Sequence, residues 1–494
     1  MTTKPNIYSN CNPQLRRLFE GAGHPAKVMC VALDYAKTQH TALICNGLGD
    51  RLKPQWALDN TAQGAAQLLA EVRACAKKNN IQPQSIFFGG EDKPSYAENF
   101  LRKLREEKFL VVGVNAWEAK RQRDNFQASS DSLDLLGIAR CLLHRRGESI
   151  QDLPQAYSNL QIATRDRDKM VRMRTAISNR IHPYVDRLFP GFLSVSKSGL
   201  DPFSKASLAL MEERFSAQQV RARRGLTEWL RRQGVEQAQE TSEQLKQLAK
   251  EALPPDPKQV LLLQRTLAGL IKLYRGLQET IGQLDREVAH WLAQTPGAWL
   301  TSVPGFGITL AAGWVAELGP PRQWRAVRRL CSYSGIVPKS KQTGGPDKEP
   351  IVGSVQGRCN KRLKNVVLQA VEKVRQFGPE ELRHKAQELQ ARGAHTEYAM
   401  AKRLVRLAKY LAIQGTVYRP KALMDPETPK GTLAAHYQCV WEKLMSKWKG
   451  KAELQEVFAP DHPLGQWRKM VQELYALELR LPKKPAQPSQ AATP

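Results

Sequence analysis

The chain has 494 residues, and its 75 Lys and Arg residues outnumber its 47 Asp and Glu residues, which gives a net charge of +28. An excess of this size indicates a polyanionic partner, because distributed positive charge attracts phosphate backbones. No apolar stretch approaches the roughly 18 residues that a membrane crossing needs. Eight widely spaced cysteines without a Cys-x-x-Cys pair favour reduced thiols in the cytoplasm over disulfides or zinc.

Residues 1–27 are predicted to be an irregular lead-in, and residues 28–150 an α/β domain. Short apolar runs rich in β-branched residues alternate there with segments of helical spacing, which favours a mixed or parallel sheet. The predicted strands and helices are Val28–Asp34, Thr41–Cys45, Asn60–Lys78, Ser85–Phe88, Ser95–Glu107 and Phe109–Val114. The first two form a hairpin.

Four carboxylates stand at matching places in this domain. Asp34 ends the first strand, Glu91 follows a later one, and Asp131 and Asp134 open the predicted helix Asp131–His144. Taken singly, Asp34 also suits a turn, and acids in a first helical turn also suit the helix dipole. Taken together, they resemble the all-carboxylate ligand sets that bind Mg²⁺ or Mn²⁺. Two such ions assist phosphoryl transfer, so a nucleic acid is the expected substrate of this basic protein.

The rest of the chain is predicted to be mostly helical. Residues 151–257 form a basic helical region, and residues 258–297 a helix with an apolar seam from Val260 to Trp291 in steps of three and four. That seam predicts either a coiled coil between subunits or a hairpin with residues 205–251 of the same chain. Residues 298–420 and 421–481 form further helical regions, and residues 482–494 have the composition of a disordered tail.

A turn near residue 305 predicts a helix-hairpin-helix. The segment Val303–Ile308 reads Val-Pro-Gly-Phe-Gly-Ile and opens an apolar helix. Gly305 and Gly307 would let the backbone approach a phosphate closely, with the N–H groups of the helix start facing the anion. The alternative is a simple tight turn between two helices. A polar loop is predicted over Gly335–Ile351, followed by a helix over Asn360–Phe377.

The order of these motifs resembles the "one-ten" family of bacterial insertion-sequence transposases, relatives of the Piv-type invertases and described as bridge-RNA-guided recombinases. The likeness covers roughly residues 28–145 and 258–420. It rests on the four acids, on Tyr96, and on the segments Val112–Asn115, Val303–Gly319, Ser334–Pro338 and Asn360–Lys364.

This resemblance implies a RuvC-like, ribonuclease-H-type first domain that holds Mg²⁺ or Mn²⁺ on Asp34, Glu91, Asp131 and Asp134. A second domain would carry a hydroxyl nucleophile that joins DNA covalently to the protein. The active site would be shared between subunits of a dimer, with two dimers in the synapse. A non-coding guide RNA would pair with donor and target DNA. The expected nucleic-acid contacts are Arg165, Lys169, Arg172, Arg174, Gly305, Gly307, Lys339, Lys341, Arg358, Lys361 and Arg362.

The sequence departs from the family at the nucleophile. Where the family has a serine followed by glycine, this chain has Thr343-Gly344. Thr343 can act, since activated threonine hydroxyls are nucleophiles elsewhere. A second possibility is that Ser340 or Ser354 is the nucleophile. A third is that the chain has lost the step that needs this nucleophile.

The sequence therefore predicts an RNA-guided DNA recombinase or transposase without a membrane association, acting in the bacterial cytoplasm at the nucleoid. One alternative is a RuvC-type nuclease or resolvase that hydrolyses DNA with water. The other is a catalytically silent nucleic-acid-binding relative, against which the four acids count, because a binding protein has no need of clustered carboxylates beside a polyanion.

Overall fold

The structure, a computed structural model, describes residues 11–91, 94–124, 130–150, 153–213, 215–324, 326–341, 351–355, 359–392 and 396–482. The predicted tail from residue 483 onward lies outside the described residues. The chain divides into two compact units, residues 1–152 and 153–494.

The first unit is built on a six-stranded sheet of order β3-β2-β1-β4-β5-β6. Its strands are β1 Met29–Asp34, β2 Gln39–Asn46, β3 Arg51–Asp59, β4 Ile86–Glu91, β5 Leu110–Val114 and β6 Glu148–Ser149. The central strands β1, β4 and β5 run parallel, and the others are antiparallel to their neighbours. This mixed sheet confirms the predicted α/β class and is consistent with the RuvC-like architecture.

Helices cover both faces of the sheet, as a sheet with buried parallel strands requires. The helices of this unit are α1 Pro13–Gly21, α2 Ala62–Lys78, α3 Pro94–Glu106, α4 Ala116–Arg121 and α5 Asp131–Leu143. Apolar residues of α2 and α3 pack in one core with alternate residues of β1, and those of α1 and α5 pack in a second core on the opposite face.

The second unit is mostly helical, in agreement with the predicted fold class. Its helices are α6 Gln155–Leu188, α7 Val195–Ser198, α8 Lys205–Glu212, α9 Ala217–Ala222, α10 Leu226–Arg232, α11 Ala238–Glu251, α12 Val260–Ala293, α13 Ile308–Leu318, α14 Val327–Tyr333, α15 Lys361–Phe377, α16 Glu380–Ala391, α17 Thr396–Gln414, α18 Lys430–Trp448, α19 Leu454–Val457 and α20 Pro463–Tyr475. Two strands, β7 Pro338–Lys341 and β8 Ile351–Val355, form an antiparallel hairpin.

The seam of α12 packs within the chain, mainly against α6 and not against residues 205–251. The long helix α6 lies along α12 over most of its length, and α8 meets only its beginning. Residues 205–251 form α8–α11, which share a core with the end of α6 and the beginning of α12. The other end of the helix pair belongs to the core of α13–α20.

Between these two cores, α6 and α12 form a two-helix spacer of residues 164–180 and 275–287. Within these described ranges Ile281 is the one buried side chain, and Arg167 is ion-paired with Asp285 across the helices. Pro183 lies inside α6 just beyond the spacer. A proline there removes the hydrogen bond to the carbonyl four residues earlier and weakens the helix locally.

Truncating Leu267 to alanine is expected to destabilise the second unit by about 2–5 kcal/mol, because a fully buried leucine leaves a cavity. Its side chain is 0% exposed in the core around α8–α11. Leu262, on the same helix and 69% exposed, is the matched control, and Leu262→Ala should stay within about 0.5 kcal/mol. Denaturant unfolding followed by circular dichroism measures both. A comparable loss for Leu262→Ala would show that another subunit covers that face.

Candidate active site

Asp34 and Glu91 end adjacent parallel strands at the same level. Leu33 of β1 pairs with Gly90 of β4, so the acid that follows each residue comes next in register. Neighbouring strands lie about 4.8 Å apart, which brings the two acids side by side at the carboxyl edge of the sheet. Glu91 is buried, with 7% of its surface exposed, and Asp34 is half-buried.

Both acids belong to the face of the sheet that α5 covers. Successive side chains of a strand alternate between faces. Leu33 packs in the core of α2 and α3, whereas Ala32 packs in the core of α5. Asp34 shares the side of Ala32, and Glu91 shares the side of Phe87, which also packs in the core of α5.

Two glycines before Glu91 allow a close fit around this strand end. A Cβ atom on Gly89 would lie 2.4 Å from a methyl group of Leu142 on α5. A Cβ atom on Gly90 would lie 2.4 Å from the ring of Tyr35. The Gly-Gly-Glu sequence therefore lets Leu142 of α5 and Tyr35 pack closely against opposite faces of β4 just before Glu91.

Asp131 and Asp134 lie in the first turn of α5, as predicted. The Ser130 hydroxyl accepts a hydrogen bond from the Leu133 N–H at 3.3 Å, which caps this helix. Asp131 is exposed, whereas Asp134 is ion-paired with Arg123. Among the described residues, no three His, Cys, Asp or Glu side chains converge closely enough to hold a metal ion. The structure thus places all four acids on the α5 side without bringing them into one cluster.

Asp34 and Glu91 nevertheless fit a hard divalent cation. They supply only oxygen ligands, and Glu91 is a carboxylate kept inside a largely apolar core. Buried carboxylates are costly unless a cation or hydrogen bonds compensate their charge. Arg123 supplies the cationic partner of Asp134 here, so this ion pair would open if Asp134 joined a metal site.

The predicted polar loop over Gly335–Ile351 is not entirely irregular, because it contains β7. Ser340 on β7 pairs in register with Val352 of β8, and Ser354 lies on β8. Lys339 and Lys341 also lie on β7. Thr343, in residues 342–350 between the two strands, and Arg358 lie outside the described residues.

The base of this hairpin is fastened by Asn360. Its backbone N–H donates to the Tyr333 carbonyl at 2.8 Å, and its side-chain Nδ2 donates to the Tyr333 hydroxyl at 3.0 Å. Its Oδ1 caps α15 by accepting from the Leu363 N–H at 3.0 Å. The residues on either side of segment 334–359 are therefore held together by the backbone and the side chain of Asn360.

The turn at residues 303–307 is held by contacts inside the protein. Gly305 has a φ of +89°, and a Cβ atom there would lie 2.8 Å from the Lys373 carbonyl of α15. Gly305 is therefore required by the approach of α15, whatever else the turn binds. Gly307 has no neighbour within 4 Å of an added Cβ atom. Its predicted contact with a phosphate stays a prediction.

Two family models match the chain. A transposase model for the DEDD enzymes of IS110 elements matches residues 31–190, which include all four acids. A second, described as Transposase IS116/IS110/IS902 family, matches residues 297–387, which include the hairpin and Asn360. Together they cover just over half of the chain.

The chain belongs to the IS110 family of transposases. This confirms the resemblance that the motifs suggested. Membership implies a DNA recombinase or transposase that acts on DNA, and the DEDD transposases are generally dependent on a divalent metal. A search of curated proteins finds no match. No helix in the described part of the chain is long and apolar enough to cross a membrane.

The basic residues predicted on α6 of this IS110 transposase lie in different surroundings. Lys169 and Arg172 are exposed and pair with Asp166 and Asp168, respectively, on their own helix. Surface pairs of this kind contribute little stability, so both cations can exchange a carboxylate for a phosphate. Arg174 is half-buried, and Arg165 binds Glu317 with two hydrogen bonds.

Sequence reasoning missed several residues that shape these sites. Arg123 lies in a charged segment without a motif, and nothing local indicates that Asp134 is its partner. Lys447 lies outside both family matches, yet its Nζ donates to the carbonyls of Thr301, Val303 and Phe306 around the glycine turn. Only the three-dimensional fold reveals such partners, because no sequence motif links Arg123 to Asp134 and the three carbonyls are more than 140 residues from Lys447.

Replacing Lys447 with methionine is expected to destabilise the second unit by about 3 kcal/mol, since three carbonyls lose a charged donor. Burial, with Lys443 nearby, lowers the pKa of Lys447 to about 8, so at neutral pH the ammonium still carries the three protons that the carbonyls accept. Thermal unfolding near pH 7 measures the loss. Lys443→Met, on the exposed face of α18, should leave the melting temperature unchanged, and an equal shift for both variants would contradict the clamp.

Proposed function

We propose that this IS110-family protein is an RNA-guided DNA recombinase that joins DNA through a covalent protein–DNA intermediate. The observation that carries the proposal is the in-register placement of Asp34 and Glu91 in one unit, together with a hairpin bearing hydroxyl residues in the other. A water-using nuclease needs the acids alone. The hairpin and the second family match favour the covalent route over that alternative.

In the proposed reaction, the Thr343 hydroxyl attacks the scissile phosphorus of DNA and gives up its proton. The bond between phosphorus and the leaving deoxyribose oxygen breaks, and that oxygen takes up a proton. Asp34 and Glu91, with Asp131 and Asp134, would hold Mg²⁺ or Mn²⁺, which lowers the barrier by stabilising charge on the phosphate oxygens. Ser340 and Ser354 are the alternative nucleophiles.

Positive charge at the start of α15 supports a nucleic-acid role for this region. Lys361 and Arg362 are exposed, and Lys364 follows in the same turn. Cations oppose the dipole at a helix N-terminus, where acids are favoured. We infer that these residues, with Lys169 and Arg172, contact the phosphates of the guide RNA or of donor and target DNA. A dimer, with two dimers in the synapse, would assemble on DNA at the bacterial nucleoid.

The test is to purify the full chain, sequence the nucleic acid that accompanies it, and incubate the complex with donor and target DNA and Mg²⁺. The expected results are a co-purifying RNA that pairs with both DNAs and a protein–DNA adduct that survives denaturation. Cleavage without an adduct would favour the RuvC-type nuclease. Binding without cleavage in any divalent metal would favour the silent relative.

A further inference from the structure

A buried glutamate contacts Asn360, the residue at the base of the β7–β8 hairpin. Glu317, at the end of α13, has a side chain only 5% exposed. The guanidinium of Arg165 donates to both of its carboxylate oxygens, at 2.9 and 3.1 Å. Asn360 Nδ2 donates to Oε2 at 2.8 Å and also contacts the Tyr333 hydroxyl. Glu317 thereby links α6 and α13 to the N-cap of α15, which in turn contacts Tyr333 at the end of α14.

This arrangement is a network with one favourable geometry. Burial alone would raise the pKa of Glu317, but the hydrogen bonds from Arg165 and Asn360 hold that pKa below its ordinary value. Loss of Arg165 would leave this buried charge uncompensated, and loss of Asn360 would remove one of its hydrogen bonds, so displacing either partner is opposed. Because Asn360 also donates to Tyr333, the same network holds residues 333 and 360, which flank segment 334–359, next to each other.

We propose that Glu317 is a positioning residue of strand exchange, which acts through Asn360 to set the hairpin that carries the nucleophile. This inference rests on the proposed function in placing the nucleophile between β7 and β8. Glu317 itself is buried and accepts three hydrogen bonds from Arg165 and Asn360, so its effect on the hairpin passes through Asn360. Small errors in the placement of a reacting group cost large factors in rate.

The sharpest variant is Asn360→Asp. Aspartate still caps α15, because its carboxylate accepts from the Leu363 N–H as asparagine does. It loses the Nδ2 donor and sets a second carboxylate against Glu317. The rate of adduct formation at saturating DNA should fall about 100-fold. The DNA concentration for half-saturation should match that of Asn365→Asp, since each variant adds one carboxylate near the start of α15 and neither removes a phosphate contact.

The double variant Asn360→Asp with Glu317→Gln exchanges donor and acceptor across the same contact. The new glutamine amide can donate to the new aspartate, while its oxygen still accepts from Arg165. Adduct formation should recover to within about tenfold of the wild-type rate. Asn365→Asp, an exposed change on the same helix, is the control for added charge and should keep the wild-type rate.

Hydrogen exchange of the backbone amides of β7 and β8 tests the same inference without any DNA reaction. Asn360→Asp should speed their exchange at least tenfold, and the double variant should slow it again. Tyr333→Phe, which removes only the hydroxyl acceptor, should speed it as well. Unchanged exchange in the single variants, or a lost rate without recovery in the double variant, would overturn the inference. If the wild-type protein forms no adduct, the proposed function fails, and the exchange rates still decide the role of Glu317.

Discussion

Replacing Asp34 with asparagine is expected to abolish DNA cleavage and strand exchange while leaving the fold intact. Asparagine has nearly the shape of aspartate, so β1 keeps its pairing with β2 and β4. It lacks the negative charge with which Asp34, beside Glu91, would bind a divalent cation. Several kcal/mol of transition-state stabilisation then disappear, which corresponds to a rate loss on the order of 10³-fold or more.

The matched control is Asp59→Asn, at the exposed end of β3 in the same sheet. It removes one exposed carboxylate from a strand two positions away from β1 in the sheet, and it should keep the wild-type rate. Cleavage of labelled DNA across a Mg²⁺ titration measures both variants. Full activity of the Asp34 variant would remove this carboxylate from the reaction and, with it, the metal site built on β1 and β4.

Thr343→Ala is the second change with a very large expected effect, because it removes the proposed nucleophile itself. No protein–DNA adduct and no recombinant DNA should form, whereas binding of RNA and DNA should be unchanged. Any residual cleavage must use water as the nucleophile, and it leaves no DNA attached to the protein. Gel analysis of the denatured reaction measures the adduct, and filter binding measures affinity.

Thr343→Ser keeps the hydroxyl and removes a methyl group, so it should retain or raise activity. Ser340→Ala and Ser354→Ala are the controls, and both should react at the wild-type rate. Peptide mapping of the trapped adduct names the attached residue directly. Attachment at Ser340 or Ser354 would show that this serine, and not Thr343, is the nucleophile. Normal recombination by Thr343→Ala without any adduct would favour the nuclease.

The sequence predicted the central strands because their signal is local. Apolar runs with β-branched residues mark β1, β2, β4 and β5, and each is found within a few residues of its predicted bounds. The edge strand β3 was missed, since Pro54 and its charged neighbours are unlike a central strand. Proline is tolerated at an edge, where its missing N–H lacks a ladder partner in any case. The two-residue β6 carries no signal at all.

The candidate site was predictable to the extent that its residues follow strand ends and caps. Asp34 and Glu91 follow buried strands, and Ser130 precedes α5 as an N-cap. The partners of these groups were not predictable, because an ion pair or a helix contact depends on long-range packing. The seam of α12 shows the same limit: its period indicated a helical partner, and its spacing could not distinguish α6 from residues 205–251.

The spacer of α6 and α12 gives the second unit a mechanical property. Seventeen residues of α-helix span about 25 Å, so a rotation of about 10° at one end moves the other by about 4 Å. Because Ile281 is the one buried side chain in the two described ranges of the spacer, the helix pair resists bending weakly, and Pro183 removes a hydrogen bond where α6 enters the far core. The spacer therefore acts as a lever between the α7–α11 core and the rest of the second unit. A force applied to that core is transmitted through α6, which carries Arg165, the ion-pair partner of Glu317.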